Sequence, residues 1–298
     1  MKTREYCVTQ VITNGICIIV TICAILPFIL LVIASFTDDS WAALHGFTFF
    51  PGKWSLTAYQ YIAAKWATIG RAYLMTLVVT AIGTLASLFI SVLFAYGISK
   101  QNVAGMKIIS FLLIFTMLFN GGLVSTYYCY VKIWGIKDTI WALVVPNLMM
   151  NAFNVILIRN YFVNSIPASL EEAARIDGAG EFKILGWIIL PLSKPIIATI
   201  GLMTLLVYWN DWQNGLYYLT ARNGADYFTI QIVLNNINED IRAISAAVTT
   251  GTMTAGVSLP STTIRMAIAV VGVLPILVLY PFFQRYFVKG ITLGGVKE

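Results

Sequence analysis

The chain has 298 residues, of which 59% are hydrophobic and 11% are charged, and its formal net charge is +6. A soluble domain is about half apolar and about a quarter charged, so this composition excludes an ordinary soluble protein. The lysines and arginines are dispersed between apolar blocks, which argues against a nucleic-acid-binding patch and indicates a membrane protein whose charges mark its topology.

Six apolar segments are long enough to cross a hydrocarbon core as helices, which takes roughly 20 residues each. In chain order they are Ile16–Phe36, Ala72–Ile98, Ile108–Tyr130, Ile140–Phe162, Ile188–Trp209 and Ile264–Val288. The first is longer than the apolar core of a signal peptide, about 7–15 residues, so we expect it to remain as a span. The sequence therefore predicts an all-α integral membrane protein, a single transmembrane domain over residues 1–298 with about six helices.

Basic residues indicate the orientation of these spans. When the spans are threaded alternately through the bilayer, most of the basic residues fall on one side: Lys2, Arg4, Lys100, Lys107, Arg159, Arg175, Lys183, Lys194, Arg285, Lys289 and Lys297. The positive-inside rule makes that side cytoplasmic, with both termini inside. Tryptophans at the opposite span ends, typical of interfacial anchors, agree with this orientation: Trp41, Trp54, Trp134, Trp141, Trp209 and Trp212.

The spans contain few groups that could bind or relay an ion. They hold Asn, Gly, Ser and Thr, but no acidic residue near a midplane. Ion-coupled transporters usually keep an ionisable residue within the membrane despite its cost. Energy for transport is therefore expected to enter from outside the bilayer. The single histidine, His45, and four cysteines without a CxxC pair predict no metal site.

The connection between the fourth and fifth spans is the most informative one. It reads SIPASLEEAARIDGAGEFKILGWIILPLSKP over Ser165–Pro195. Ser169 and Glu172 have the spacing of a capping box, which predicts that a short helix starts there, after Pro167. The sequence thus places an isolated helix on the cytoplasmic side.

Small residues mark one face and the end of this helix. Leu170, Ala173 and Ala174 share a face at helical spacing, and the charged side chains point elsewhere. The alanines lack bulk, so another surface could approach the backbone closely. Gly178 is a natural stop, because a left-handed residue costs glycine little. An ordinary amphipathic surface helix shares these features, so they do not by themselves assign a docking role.

The complete spacing is more specific than any of its parts. A Glu-Ala-Ala triplet is followed after three residues by a glycine, after nine more by an isoleucine, and one residue later by a Leu-Pro pair. This pattern resembles the EAA loop of binding-protein-dependent ABC importers, here residues 164–191. In that family the loop forms a coupling helix seated in a groove of the ATPase. The resemblance implies that this contact is made by Glu172, Ala173, Ala174, Asp177 and Gly178.

The resemblance covers nearly the whole chain. Asn120–Tyr130, Asp138–Tyr161, the Trp209-Asn210-Asp211 triplet and the tail Pro281–Lys297 look like the carbohydrate-uptake, maltose-permease-G-like class of ABC permeases. They are most similar to the second permease of lipoprotein-dependent polysaccharide and oligosaccharide importers. The resemblance implies a type I importer fold in the bacterial plasma membrane and uptake of an oligosaccharide or polysaccharide fragment.

The partners and cofactors also follow from the resemblance. It implies a second homologous permease that completes a heterodimer, two ABC ATPase subunits that bind ATP and Mg, and an extracellular solute-binding lipoprotein. The chain has no Gly-rich GxxxxGK[ST] phosphate loop, so we expect a non-catalytic subunit without a cofactor of its own. The outer segment, residues 210–263, is expected to meet the lipoprotein. Helical spacing predicts a helix within it at Ile230, Val233, Leu234 and Ile237.

Amide and aromatic side chains are the candidates for the substrate path, because sugars offer hydroxyls to amides and apolar ring faces to aromatics. The candidates are Asn151, Asn154, Tyr208, Trp209 and Asn210. Polar residues in membrane helices also bond neighbouring helices, and aromatics at span ends also anchor in lipid headgroups. The sequence leaves both interpretations open for each residue.

Two other functions share some of these features. An amino-acid, polyamine or phosphate importer would carry the same EAA loop, but more intramembrane charge would be expected for such solutes. A membrane-embedded hydrolase would need a nucleophile with a base, and neither Ser/His/Asp nor paired carboxylates recur at one depth in the spans. The sugar importer is therefore the preferred prediction.

Overall fold

The computed structural model describes residues 4–100, 103–249 and 262–295. Its α-helices are, in chain order, α1 (Arg4–Ser35), α2 (Asp39–His45), α3 (Thr57–Ala64), α4 (Trp66–Ser99), α5 (Met106–Leu118), α6 (Gly122–Tyr128), α7 (Trp141–Val144), α8 (Ala152–Ser165), α9 (Ala168–Ile176), α10 (Glu181–Ile184), α11 (Leu190–Leu192), α12 (Lys194–Trp209), α13 (Gln213–Tyr218), α14 (Ile230–Thr249) and α15 (Thr262–Gly295). Shorter turns of other helical types are Cys129–Ile133, Leu185–Ile189 and Ala225–Tyr227.

The predicted spans differ in their continuity. Helices α1 and α4 are each long and apolar enough to cross a membrane alone. The third predicted span is bent by 118° between α5 and the helix over Gly122–Ile133, and the fifth by 82° between Glu181–Leu192 and α12. Within the described residues, length and composition thus support two spans, or four when each bent pair counts as one. The sixth predicted span lies in α15, of which Thr262–Val278 is a shorter apolar helix.

The fourth predicted span, Ile140–Phe162, is not one helix. Helix α7 ends at Val144, and α8 begins only at Ala152. Between them Pro146 lacks an amide donor, and Asn147 adopts a left-handed conformation with φ +59°. The continuous span expected from hydropathy is therefore wrong at this point. Hydropathy predicts that the segment enters the membrane, but it does not show that Pro146 and Asn147 interrupt the helix within it.

The contacts divide the chain into two compact units, and the first consists of Met1–Ile69 and Leu234–Leu274. In this unit the hydroxyls of Ser35 and Tyr59 share a hydrogen bond of 2.8 Å, and Phe36 stacks on Tyr59 at 4.8 Å. The most apolar stretch of α1 has none of its residues buried within the chain. This apolar stretch of α1 therefore presents its side chains to lipid or to another subunit.

The second unit, Gly70–Val233 and Pro275–Glu298, contains the loop with the EAA pattern. The other helices of this unit pack around α4. The residues buried along α4 are mostly small and lie at helical spacing. The small ones among them include Ala72, Thr76, Thr80, Thr84, Ser87, Ser91 and Ala95. Small side chains let neighbouring helices approach closely in membranes. Here the approach is close enough that a β-carbon on Gly83 would lie 2.4 Å from the ring of Tyr208.

Two apolar clusters form the core of this unit. The first cluster joins the C-terminal half of α4 to α8, α10 and α12, and includes Tyr96, Ile158, Phe162, Ile184 and Ile200. The second cluster gathers residues from α4, α7, α12, α13 and α14, and includes Val79, Leu143, Tyr208, Tyr218 and Ile232. Helix α4 contributes to both clusters and so runs from one end of the unit to the other.

The outer segment contains a helix, as its spacing predicts. Helix α14 covers Ile230–Thr249, and its first residue is completely buried. The amide of Ile230 donates to the hydroxyl of Thr76 on α4 at 2.9 Å. The start of α14 is thus fixed within the second unit by a long-range hydrogen bond. Residues 250–261 of the outer segment lie outside the described residues.

Candidate functional site

The loop with the EAA pattern forms a short helix, α9, as predicted. Pro167 precedes its first residue with φ −62° and ψ 128°, an extended conformation that suits proline. The helix begins at Ala168, before the start that a capping box on Ser169 requires, and no side chain caps it. The capping-box prediction is therefore wrong, although the helix that it predicted is present.

Helix α9 ends in a left-handed turn at Gly178, whose φ is +79°. The amide of Gly178 donates to the carbonyl of Arg175 at 3.0 Å, and the amide of Ala179 donates to the carbonyl of Ala174 at 2.9 Å. These two bonds form a Schellman motif, which satisfies carbonyls that a helix end leaves free. The predicted glycine stop is confirmed.

One face of α9 and the turn that follows it is open in the isolated chain. Glu172, Ala173 and Asp177 are exposed there. Ile176 exposes 86% of its surface, and Phe182 on α10 exposes 84%. Large apolar side chains exposed among polar ones are typical of a surface that another protein covers.

Ala174 does not belong to this open face, although the helical spacing grouped it with Ala173. It is partly buried and packs against the first cluster together with Ala179. The side chain of Glu171 also turns inward and exposes only 18% of its area. Ala174 therefore holds α9 against its own chain, and Ala173 lies on the side available to a partner.

Five polar residues connect α9 to its surroundings, and we call them the polar ring: Tyr96, Lys100, Glu171, Arg175 and Glu181. Lys100 pairs with Glu171, and Arg175 lies 3.4 Å from the same carboxylate. Arg175 also donates to Glu181 at 3.1 Å, and Glu181 accepts from the hydroxyl of Tyr96. Lys100 closes the ring, because its ammonium lies 4.4 Å from the centre of the Tyr96 aromatic ring.

The polar ring changes the acidity of its members. The hydrogen bond from Tyr96 and that from Arg175 lower the pKa of Glu181, against an opposing effect of burial. The hydrogen bond to Glu181 raises the pKa of Arg175. Because the pKa of Glu181 is lowered by folding, its contribution to stability is present above the ordinary pKa of a glutamate, about 4.3, and is lost as the pH falls through the lowered value. At neutral pH Glu181 is therefore ionised and Arg175 is protonated, as their hydrogen bond requires.

Of the two candidate path residues at the start of α8, Asn151 caps the helix and Asn154 bonds another helix. The side chain of Asn151 accepts a hydrogen bond from the amide of Asn154 at 3.2 Å, and α8 starts directly after it. The amide nitrogen of the Asn154 side chain lies 3.4 Å from the hydroxyl of Thr204 on α12. Asn154 thus bonds a neighbouring helix, while Asn151 is exposed.

Tyr208 and Trp209 are buried, with 2% and 1% of their surfaces exposed. The hydroxyl of Tyr208 donates to the carbonyl of Val144 at 2.8 Å, and Trp209 packs edge-on against Tyr73 at 5.9 Å. Val144 is the last residue of α7, so Tyr208 satisfies a carbonyl that the broken span leaves free. Neither ring is open to a solute in the isolated chain, and Trp209 is not an interfacial anchor.

Asn210 differs from the two aromatic residues before it because it is exposed. It caps α12: its side-chain nitrogen donates to the carbonyl of Leu206 at 2.8 Å, and its backbone amide donates to the same carbonyl at 3.1 Å. Sequence reasoning missed a related residue, Asn214, which is 5% exposed and donates to the carbonyl of Pro146 at 3.0 Å. Asn214 thus helps Tyr208 to hold the break between α7 and α8.

Comparison with known protein families identifies the family of this chain. Residues 9–293 match the model of the family described as "Binding-protein-dependent transport system inner membrane component". The chain belongs to this family. It is a multi-pass membrane permease subunit of an ABC importer, and the predicted resemblance to that family is confirmed. ATP hydrolysis in these importers is carried out by a separate subunit, so this chain is not an enzyme.

Individual relatives extend over the complete chain. The "Polygalacturonan/rhamnogalacturonan transport system permease protein YtcP" of Bacillus subtilis (strain 168) is 39% identical over 300 residues and covers 100% of both proteins. The "Trehalose/maltose transport system permease protein MalG" of Thermococcus litoralis is 26% identical and covers 94% of both. A chain of a bacterial ABC transporter "involved in the import of the acidic polysaccharide alginate" has a TM-score of 0.79 and 29% identity, covering 96% of this chain and 99% of that one. The fold is therefore that of a type I importer transmembrane domain.

Proposed function

We propose that this subunit imports a sugar, in the form of an oligosaccharide or polysaccharide fragment. The observation that carries the proposal is the 39% identity to YtcP over the complete length of both proteins. The similarity to MalG and to the alginate importer supports the same substrate class. The alternative of an amino-acid, polyamine or phosphate importer finds no support among these relatives.

Uptake by intact cells tests the substrate class. Deleting the gene that encodes this chain should abolish accumulation of one class of labelled oligosaccharide, and a plasmid copy should restore it. Oligogalacturonides, maltodextrins and a mixture of labelled amino acids form the panel. Loss of amino-acid uptake with unchanged uptake of every saccharide would refute the sugar proposal.

We propose that the open face of α9 is the coupling surface for the ATPase. It comprises Glu172, Ala173, Asp177 and Gly178, and the exposed side chains of Ile176 and Phe182 extend it. Ala174 supports this surface from behind, through its packing on the first cluster. A groove in the partner that covers the two apolar side chains would remove exposed apolar area from water, which favours docking.

We propose the following assembly for the complete importer. This chain forms one transmembrane domain over residues 1–298 and pairs with a second, homologous permease. Two ATPase subunits bind ATP and Mg on the cytoplasmic side, and an extracellular solute-binding lipoprotein meets the outer segment, residues 210–263. Asn151 and Asn210 are exposed and are therefore the path residues best placed to contact a sugar. Asn154 is bonded to Thr204, and Tyr208 and Trp209 are buried, so these three have a packing role.

The proposed topology predicts a labelling pattern. In a background without the four native cysteines, a cysteine at exposed Arg222 should react with an impermeant thiol reagent added outside intact cells. A cysteine at exposed Gly180 should react only after the cells are opened. Most of the basic side chains and both termini lie inside in this arrangement. External labelling of Gly180→Cys with protection of Arg222→Cys would invert the topology.

A further inference from the structure

We propose that the polar ring transmits displacement of α9 to α4, with Lys100 and Glu171 as the positioning pair. The inference rests on the proposed coupling role of α9. Lys100 lies directly after the last residue of α4, and Glu171 lies in the first turns of α9. The ring is thus a direct polar connection between the surface proposed to meet the ATPase and a membrane-spanning helix.

The low exposure of Lys100 and Glu171 to water makes this pair costly to separate. The side chains of Lys100 and Glu171 expose only 19% and 18% of their areas. Separating these two charges leaves Lys100 without its counter-ion in a partly dehydrated place, which is more costly than separating an exposed pair. The end of α4 is therefore expected to move with α9 instead of losing contact with it.

The two carboxylates are held by more than one partner each. Glu171 contacts both Lys100 and Arg175, and Glu181 contacts both Arg175 and Tyr96. Two cations face two anions, so the ring has no net charge and each of its four charged members has a counter-ion. Such a closed network resists the loss of a single contact and fixes the orientation of α9 as well as its distance from α4.

Helix α4 is suited to carry the displacement further. It has 34 residues, about 51 Å at 1.5 Å per residue, and its sequence contains no proline that would bend it. Along its length Gly201 of α12 lies close to Leu88, and Gly83 lies against the ring of Tyr208. Tyr208 in turn holds the break that ends α7. Helix α4 therefore connects the polar ring to the break between α7 and α8, which lies beside the proposed substrate path.

The complete importer, reconstituted in vesicles with its ATPase and its solute-binding protein, provides the test. Lys100→Met and Glu171→Gln should both permit ATP hydrolysis but lower the amount of sugar transported per ATP by about tenfold, a usual size for coupling between sites. The double variant Lys100→Glu with Glu171→Lys should restore most of the lost transport per ATP, because it rebuilds the ion pair. Lys107→Met, at an exposed lysine on α5, is the matched control and should transport as the natural protein does.

Two results would overturn the inference. One is unchanged transport per ATP in both single variants. The other is a parallel loss of assembly, hydrolysis and uptake, which would make the ring a purely structural feature. A coupling-helix variant distinguishes this inference from the proposed function: if Gly178→Val uncouples the importer and Lys100→Met does not, the ring is not the connection, but α9 remains the coupling helix.

Discussion

Replacing Gly178 with valine is expected to lower sugar uptake by about 5–30-fold, the change in a two-state ratio that corresponds to 1–2 kcal/mol. Gly178 has φ +79°, and a left-handed conformation costs a residue with a β-carbon about 1–2 kcal/mol. No atom lies within 4 Å of the β-carbon position, so the effect comes from the backbone and not from a clash. The strain would open the Schellman turn and misplace the open face of α9. Uptake and co-purification of the ATPase are measured at matched expression.

Gly180 offers a matched control in the same turn. It is also exposed, and no atom lies within 4 Å of its β-carbon position, but its φ is −74°, which any residue adopts. Gly180→Val should therefore retain uptake. Gly178→Asn should lose less than Gly178→Val, because asparagine tolerates the left-handed region better. Equal losses at Gly178 and Gly180 would contradict the role assigned to the turn.

Replacing Gly83 with alanine is expected to destabilise the subunit by about 1–3 kcal/mol, the usual cost of an added methyl group in a packed core. The β-carbon would lie 2.4 Å from the ring of Tyr208, which is 2% exposed and whose hydroxyl is bonded to Val144. The ring has no free space and cannot move without breaking that bond. Thermal unfolding of the purified importer in detergent measures the loss.

Gly97 lies on the same helix and controls for helix propensity. No atom lies within 4 Å of its β-carbon position, so Gly97→Ala should leave the unfolding temperature unchanged or raise it slightly. Adding Tyr208→Leu to Gly83→Ala should recover part of the stability lost to the clash. An unfolding temperature of Gly83→Ala equal to that of Gly97→Ala would show that α4 and α12 are not in contact at this point.

The local part of the proposed coupling site could be predicted from sequence. Helix α9 and its end depend on residues within one or two turns of each other. Glycine adopts the left-handed conformation at a helix end more readily than other residues, so Gly178 is a clear stop signal. The exact start of α9 was missed because Pro167 and Ser169 both favour a helix start nearby. The helix in the outer segment was also predictable, since its apolar spacing is local.

The polar ring had no signal in the sequence. Lys100 and Glu171 are 71 positions apart, and Tyr96 and Glu181 are 85 apart. The distribution of basic residues assigned Lys100 and Arg175 to topology alone, and the helical pattern left Glu171 without a role. The packing of α4 and α8 against α9 decides which charged side chains of α9 turn inward. That packing is not visible in the sequence of α9.

The sequence by itself determined that this chain is a membrane permease with apolar spans, a short helix in the EAA loop and a glycine turn, because hydropathy, local helix signals and a spaced motif are properties of neighbouring residues. Only the tertiary structure decided that Ala174 faces inward, and that Tyr208 and Asn214 satisfy carbonyls beside the broken fourth span. The physical reason is the same in each case. A backbone carbonyl or a charge removed from water must find a partner, and in this fold the partners come from distant parts of the chain.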